Sequence, residues 1–233
     1  MANKKEKKLS TNEKLANMTE GWISTHRSLI ITLCIAVVVI VLAVVVATVV
    51  VNKNNDKINE ALATLETNYN EFELMDADSS DYEAKLQTIK DEANSLISKP
   101  GVKKYAGSKA ALLLAQMSFD DGDYTKAIEY YTSVYEAQKD TYLGQVALMS
   151  KASALESNGD KAGALAIYNQ LFDDYGKNGI YSSRALFNAA RLTEESDLDL
   201  AISIYEQLVG LFEDSGSEYA KLAISRISQL NNK

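Results

Sequence analysis

One proline, one cysteine, one histidine and one tryptophan in 233 residues exclude much before any pattern is sought. A single cysteine forms no internal disulfide framework, and lone Cys and His residues leave no multi-cysteine or His-rich metal centre. Scarce proline and only 11 glycines suit long helices rather than a sandwich or barrel with its many tight turns. Neither His nor Cys occurs beyond Cys34. Residues 52–233 therefore hold no Ser-His-Asp triad, no Cys-His pair and no His-ligated zinc. The phosphate-cradling patterns GxxxxGK[ST] and GxGxxG are both missing. Positive charge is also in the minority, with 24 Lys and Arg against 32 Asp and Glu, a net charge of -8. Such a chain repels phosphate backbones, so a nucleic-acid partner is not expected. No enzyme, cofactor or metal is expected either. Asp76, Asp78, Ser80 and Asp81 resemble the start of a calcium loop. The sixth and twelfth places hold Asp81 and Gln87 where Gly and Glu are needed, so the string reads as a turn with a helix N-cap.

What the chain does have is a run of 23 residues without charge, Leu29 to Val51, in which only Thr32 and Thr48 are not apolar. At about 1.5 Å per residue such a helix crosses a hydrocarbon core of about 30 Å. The run is too long for a cleaved leader, and Val49-Val50-Val51-Asn52 offers no small-residue cut site. Ile31-Thr32-Leu33 ahead of Cys34 does not fit a lipidated cysteine. Ala43 and Ala47 form a weak small-xxx-small pair. Residues 1–28 carry six cations and three acids, net +3, which leaves 18 cations and 29 acids, net -11, for the rest. The cation-rich end is expected to stay in the cytoplasm and residues 52–233 to lie outside. Trp22, just before the run, is expected at the headgroup level. Residues 1–20, polar and Lys-rich, read as a disordered tail, with Lys4 to Lys8 able to touch anionic lipid.

A second pattern fills the remainder. Ala115, Ala152 and Ala189 recur at a spacing of 37. So do Ala127, Ala164 and Ala201; Ile128, Leu165 and Ile202; Tyr131, Tyr168 and Tyr205; and Val134, Leu171 and Leu208. Gly122-Asp123, Gly159-Asp160 and Ser196-Asp197 hold the same register. Each copy reads as a helical hairpin. Ala111, Leu114, Ala115 and Ser118 share one helical face, Gly-Asp breaks the helix, and Asp caps the next one. Small Ala lets helices cross closely, and Tyr131, Tyr168 and Tyr205 are expected to fill the space between hairpins.

These residues resemble the tetratricopeptide repeat, with copies at about 108–141, 145–178 and 182–215 and without that family's usual Pro after the second helix. Three residues beyond its usual period imply longer inter-repeat turns or helix ends. The expected fold class is all-α, an N-terminal transmembrane helix followed by a solenoid of helical hairpins. The expected divisions are a basic cytoplasmic tail at 1–28, a transmembrane helix at 29–51, and a connecting helix with a degenerate first hairpin at 52–107. Three repeats at 108–215 and a capping helix at 216–233, polar on its outer side, complete the chain. The overall plan is similar to the ancillary SecYEG translocon subunit (YfgM-like) family, with a longer and more basic tail. That resemblance implies a protein-binding scaffold or chaperone-like factor at the outer side of the bacterial inner membrane. Its implied partners are Sec translocon components, exported chains or periplasmic chaperones. The alternative is a scaffold for envelope biogenesis or cell division, of the Tol or outer-membrane assembly type.

If the hairpins stack, the first helix of each lines a partner groove. Projecting the repeat places Lys109, Leu112, Gln116, Phe119 and Asp120 there from the first copy. The second copy supplies Val146, Met149, Ser153 and Glu156, and the third Ser183, Leu186, Ala190 and Glu194. Leu112, Phe119, Met149 and Leu186 are the large apolar side chains expected to lie exposed in it. A carboxylate clamp of the kind that holds chaperone tails is not expected, because Leu112, Gln116 and Ser150 do not match its Lys and Asn.

Overall fold

A computed structural model describes residues 10–232, and the expected lipid contact of Lys4 to Lys8 lies outside them. Among the described residues there are ten α-helices and no strand. The chain divides after Lys57 into two units.

The N-terminal unit holds helix α1, Thr11–Thr25, and the start of helix α2, Arg27–Glu73. Helical Thr11–Glu20 departs from the expectation of a disordered tail over residues 1–20. Glu13, Lys14, Leu15, Ala16 and Met18 are good helix formers, and this preference outweighs the segment's polarity. Trp22 is largely exposed and its ring stacks on His26 at 4.8 Å. From Leu29 to Val51 the large apolar side chains are exposed almost without interruption. The hydroxyl of Thr32 donates to the Ser28 carbonyl at 2.9 Å, and that of Thr48 to the carbonyl of Val44. Both hydroxyls of the run are thus satisfied within the helix. This is one candidate single membrane span, by length and composition.

The second unit starts at Ile58. The end of α2 and α3, Tyr82–Leu96, enclose a core of Leu62, Leu65, Ile89, Ala93 and Leu96 with residues of α4. A wide turn over Ile97–Gly101, broken by extended Lys99, leads to α4. Then come α4, Tyr105–Asp120, with α5, Tyr124–Gln138; α6, Tyr142–Ser157, with α7, Lys161–Tyr175; and α8, Ser182–Thr193, with α9, Leu198–Phe212. Helix α10, Glu218–Leu230, closes the series. The first and second helices of each hairpin are called A and B below.

The repeat columns are the core. Ala115, Ala152 and Ala189, like Ala127, Ala164 and Ala201, have no exposed surface, and Tyr131, Tyr168 and Tyr205 are almost fully enclosed. Each Asp after the turn caps its helix B. Asp123 accepts from Lys126 N at 3.1 Å, Asp160 from Gly163 N at 2.8 Å and Asp197 from Leu200 N at 2.9 Å. Each such cap stabilises its helix by about 1 kcal/mol. Gly122 and Gly159 adopt φ of 77° and 84°, which a side chain resists. The third copy, with Ser196, turns without a left-handed residue. Asp81 occupies the N-cap position of α3 but its side chain makes no cap bond, so the hairpin of α2 and α3 is degenerate at this point. The aromatic pairing still recurs: Tyr82 tilts onto Phe72 at 4.7 Å, as Tyr124 meets Phe119 edge-on at 5.3 Å.

The additional residues per copy go to the helix ends. Helices α4 and α6 start at Tyr105 and Tyr142, and a short helical turn at Gly176–Asn178 precedes α8. That early start is permitted by Gly107 and Gly144, a further column spaced by 37. A Cβ on Gly107 would fall 2.2 Å from the Gly101 carbonyl oxygen. The outer side of α10 is less polar than its sequence suggests, because Leu222 and Ile224 remain exposed.

Candidate partner-docking groove

Helix A residues of the first two copies border two hollows. One, of about 500 Å³, lies between the end of α2 and helix α4 and is lined by Leu62, Leu65, Glu66, Tyr69, Asn70, Lys109, Leu112, Leu113 and Val146. The other, of about 200 Å³, is lined by Gln116, Phe119, Tyr131, Val146, Met149, Ser150, Ser153, Tyr181 and Arg184. Val146 belongs to both, so the two adjoin. Lys109 is held at 3.3 Å from Glu66, which fixes its ammonium at the rim. Gln116 donates its amide to Asp120 at 2.9 Å, and Asp120 borders a third hollow with Tyr69 and Phe72. The Ser153 hydroxyl folds back onto the Met149 carbonyl.

Several projected positions turn out otherwise. Leu186 and Ala190 do not face a groove: they are buried against Phe212, Ala220, Ala223 and Leu230. Met149 is 4% exposed, so it forms the floor of the smaller hollow rather than an exposed contact. Successive residues on a helix are separated by about 100°. Leu186 and Ala190 thus lie on the flank of α8 that meets α10. Ser183 is half-buried and borders neither hollow.

Glu156 and Glu194 serve internal bonds instead. Arg191 meets Glu156 at 2.8 Å, and the Tyr168 hydroxyl donates to the same carboxylate at 3.4 Å. Glu194 accepts the Tyr205 hydroxyl at 2.7 Å and a bidentate pair from Arg226 at 2.9 and 2.5 Å. Each Tyr-Glu-Arg cluster ties helix A, helix B and the following helix together. The glutamates pull both guanidinium pKa values further up. Burial raises the Tyr168 and Tyr205 hydroxyls, and Glu194 adds to the rise at Tyr205. The first copy has no such cluster. One period before Glu156 and Arg191 stand Phe119 and Ala154. Tyr131 meets Ser150 instead, its hydroxyl raised mainly by burial.

Residues 22–170 match the tetratricopeptide repeat-like domain, well over half of the chain. The protein belongs to that family. No curated protein matches it. The matched region takes in the apolar run, the first tetratricopeptide copy and most of the second, and the 37-residue register continues beyond it through the third. Repeats of this family generally serve as non-catalytic scaffolds for protein partners.

Of the lining residues, Leu113, Tyr131, Ser150, Tyr181, Arg184 and those from α2 were not projected into the groove. Tyr181 occupies the column of Gly107 and Gly144, a break in the register that does mark the position. Arg184 has no counterpart, and nothing in one sequence singles it out. The α2 residues follow from packing between distant segments.

Proposed function

We propose that this chain is a single-pass protein of the bacterial inner membrane that holds partner proteins through its tetratricopeptide domain. Residues 1–28 lie in the cytoplasm, residues 29–51 cross the bilayer, and residues 52–233 lie outside. The domain plan is a connecting helix and degenerate hairpin to residue 107, three repeats at 108–215 and a cap at 216–233. The orientation is supported by a net +3 before the apolar run and -11 in the rest of the chain. The likeness to the ancillary SecYEG translocon subunit family supports a post beside the translocon. There the groove receives segments of exported chains or of periplasmic chaperones by docking, without chemistry.

The observation that carries this reading is the pair of adjoining hollows on the helix A face, with Leu112, Phe119 and Val146 only partly covered. A photo-crosslinking amino acid at Val146, in membranes of living cells, is expected to yield adducts. The same group at exposed Glu206 of α9 should yield none. Translocon subunits or exported chains among the adducts support the reading, while outer-membrane assembly or Tol components would move the protein to envelope biogenesis. Equal adducts from both positions refute the groove. Protease added to spheroplasts is expected to digest residues 52–233 and spare the tail. Full protection of the large part overturns the orientation.

A further inference from the structure

Resting on the groove reading above, we infer that the smaller hollow selects acidic partners. Its preferred occupant is an apolar peptide segment bearing a carboxylate, which Arg184 receives.

The floor and one wall of this hollow are apolar or aromatic: Phe119, Val146, Met149 and Tyr131. A segment that buries apolar side chains there gains the usual hydrophobic free energy. The other wall carries Arg184, exposed and in no ion pair among the described residues. Its neighbours in sequence and fold are treated differently. Arg191, further along the same helix, and Arg226 are each held by a glutamate of an adjacent helix. At the junction of copies one and two, the register substitutes Phe119 and Ala154 for Glu156 and Arg191. The interior clusters are thus absent where the hollow opens, and a cation is left at its edge in no ion pair among the described residues.

Guanidinium is weakly hydrated and presents a planar fork matched to carboxylate, so it is well suited to the rim of an apolar hollow. The Ser150 and Ser153 hydroxyls and the Gln116 amide lie in the same hollow and offer hydrogen bonds to a peptide backbone. A basic partner segment is disfavoured by the same guanidinium. The net charge of -8 opposes acidic chains at long range. Selection is therefore local and operates over about a Debye length, near 10 Å at ordinary ionic strength.

The test uses the full chain in lipid nanodiscs. Short fluorescein-labelled peptides rich in Leu and Phe are made in sets that differ at one position only, as Glu, Gln or Lys. Binding is followed by fluorescence anisotropy. In at least one set the Glu peptide is expected to bind about fivefold more tightly than the Gln peptide, with the preference shrinking in about 0.5 M salt. Arg184→Gln should equalise Glu and Gln peptides while leaving the Gln peptide's affinity in place. Arg184→Lys should restore part of the preference, and Arg184→Glu should turn it toward Lys. Apolar binding without any preference for Glu, or a preference that survives Arg184→Gln, overturns this inference and leaves the groove standing. Failure of every peptide to bind overturns both.

Discussion

Replacing Gly144 by alanine places a methyl group where the end of α5 already stands. The new Cβ would lie 2.6 Å from the Gln138 carbonyl oxygen, 2.8 Å from Lys139 Cα and 2.8 Å from the Tyr175 hydroxyl. Comfortable carbon contacts begin near 3.5 Å, so α6 must retreat by about 1 Å. Two of the three obstacles are backbone and cannot rotate away. The third, Tyr175, is tied to the Lys139 carbonyl at 2.6 Å. The retreat costs about 3 kcal/mol, the upper end for overpacking. Alanine returns about 1 kcal/mol as the better helix former, which leaves a net loss of about 2 kcal/mol. Gly210 in α9 supplies the control, because a Cβ there meets nothing within 4 Å. Gly210→Ala should stabilise by about 1 kcal/mol. Helicity of the full chain in detergent, followed by circular dichroism through heat and urea, reads both effects. Melting should fall by about 6 °C for Gly144→Ala and rise by about 3 °C for Gly210→Ala. Shifts of the same sign would show that helix propensity, not close approach, governs the glycine column.

Met149→Ser removes a floor residue that is 4% exposed and should cost about 3 kcal/mol. Phe119→Ser, at a half-buried rim position, should cost less than half as much, and urea midpoints that rank the two the other way would disprove the assignment of floor and rim. Arg226→Ala strands the Glu194 carboxylate, whose side chain is 11% exposed, at a cost of about 1–3 kcal/mol. A double-mutant cycle with Glu194→Gln that finds no coupling would count against the cluster. Raised tyrosine pKa values make stability full below pH 10, where folded and unfolded tyrosines are both protonated. Above that the unfolded chain ionises first, and stability declines through about 12 for Tyr175 and further for Tyr205 and Tyr69. Absorbance at alkaline pH should therefore show the buried tyrosine columns ionising only on unfolding; ionisation of Tyr131, Tyr168 and Tyr205 near pH 10 in the folded protein would contradict their burial.

The fold was legible because each rule acts within a single copy. An alanine at a helix crossing, a tyrosine between helices and an aspartate after a turn produce the same local geometry every 37 residues, and all three columns behave alike. The groove was only partly legible because facing is decided between copies. Lys109, Leu112, Gln116, Phe119, Val146 and Ser153 border the hollows as projected. Leu186 and Ala190 do not, since their neighbour is α10, whose register departs from that of the repeats. Residues of α2 line the larger hollow from 39 or more positions upstream of Lys109 and Leu112, a contact that no periodicity encodes. Helix α1 shows the opposite failure: local preference was sufficient there, and the lysine content concealed it.

The breaks in the repeat say more about the site than the repeat does. Copies two and three each bring a Tyr-Glu-Arg cluster, and each cluster uses a carboxylate that stands in a projected groove column. Binding a partner through Glu156 or Glu194 would mean giving up a hydrogen-bonded ion pair, so those columns are poor docking positions. The first copy keeps the tyrosine and replaces the acid and base by Phe119 and Ala154, and it is there that a hollow opens with an apolar floor. An open junction requires the cluster's absence, because the same space cannot hold both an internal ion pair and a ligand. Restoring the cluster by Phe119→Glu with Ala154→Arg is therefore expected to close the hollow, hold melting near the parent value and abolish adducts from Val146. If adducts persist at full yield in a folded double variant whose new ion pair is confirmed by a double-mutant cycle, docking takes place elsewhere on the chain.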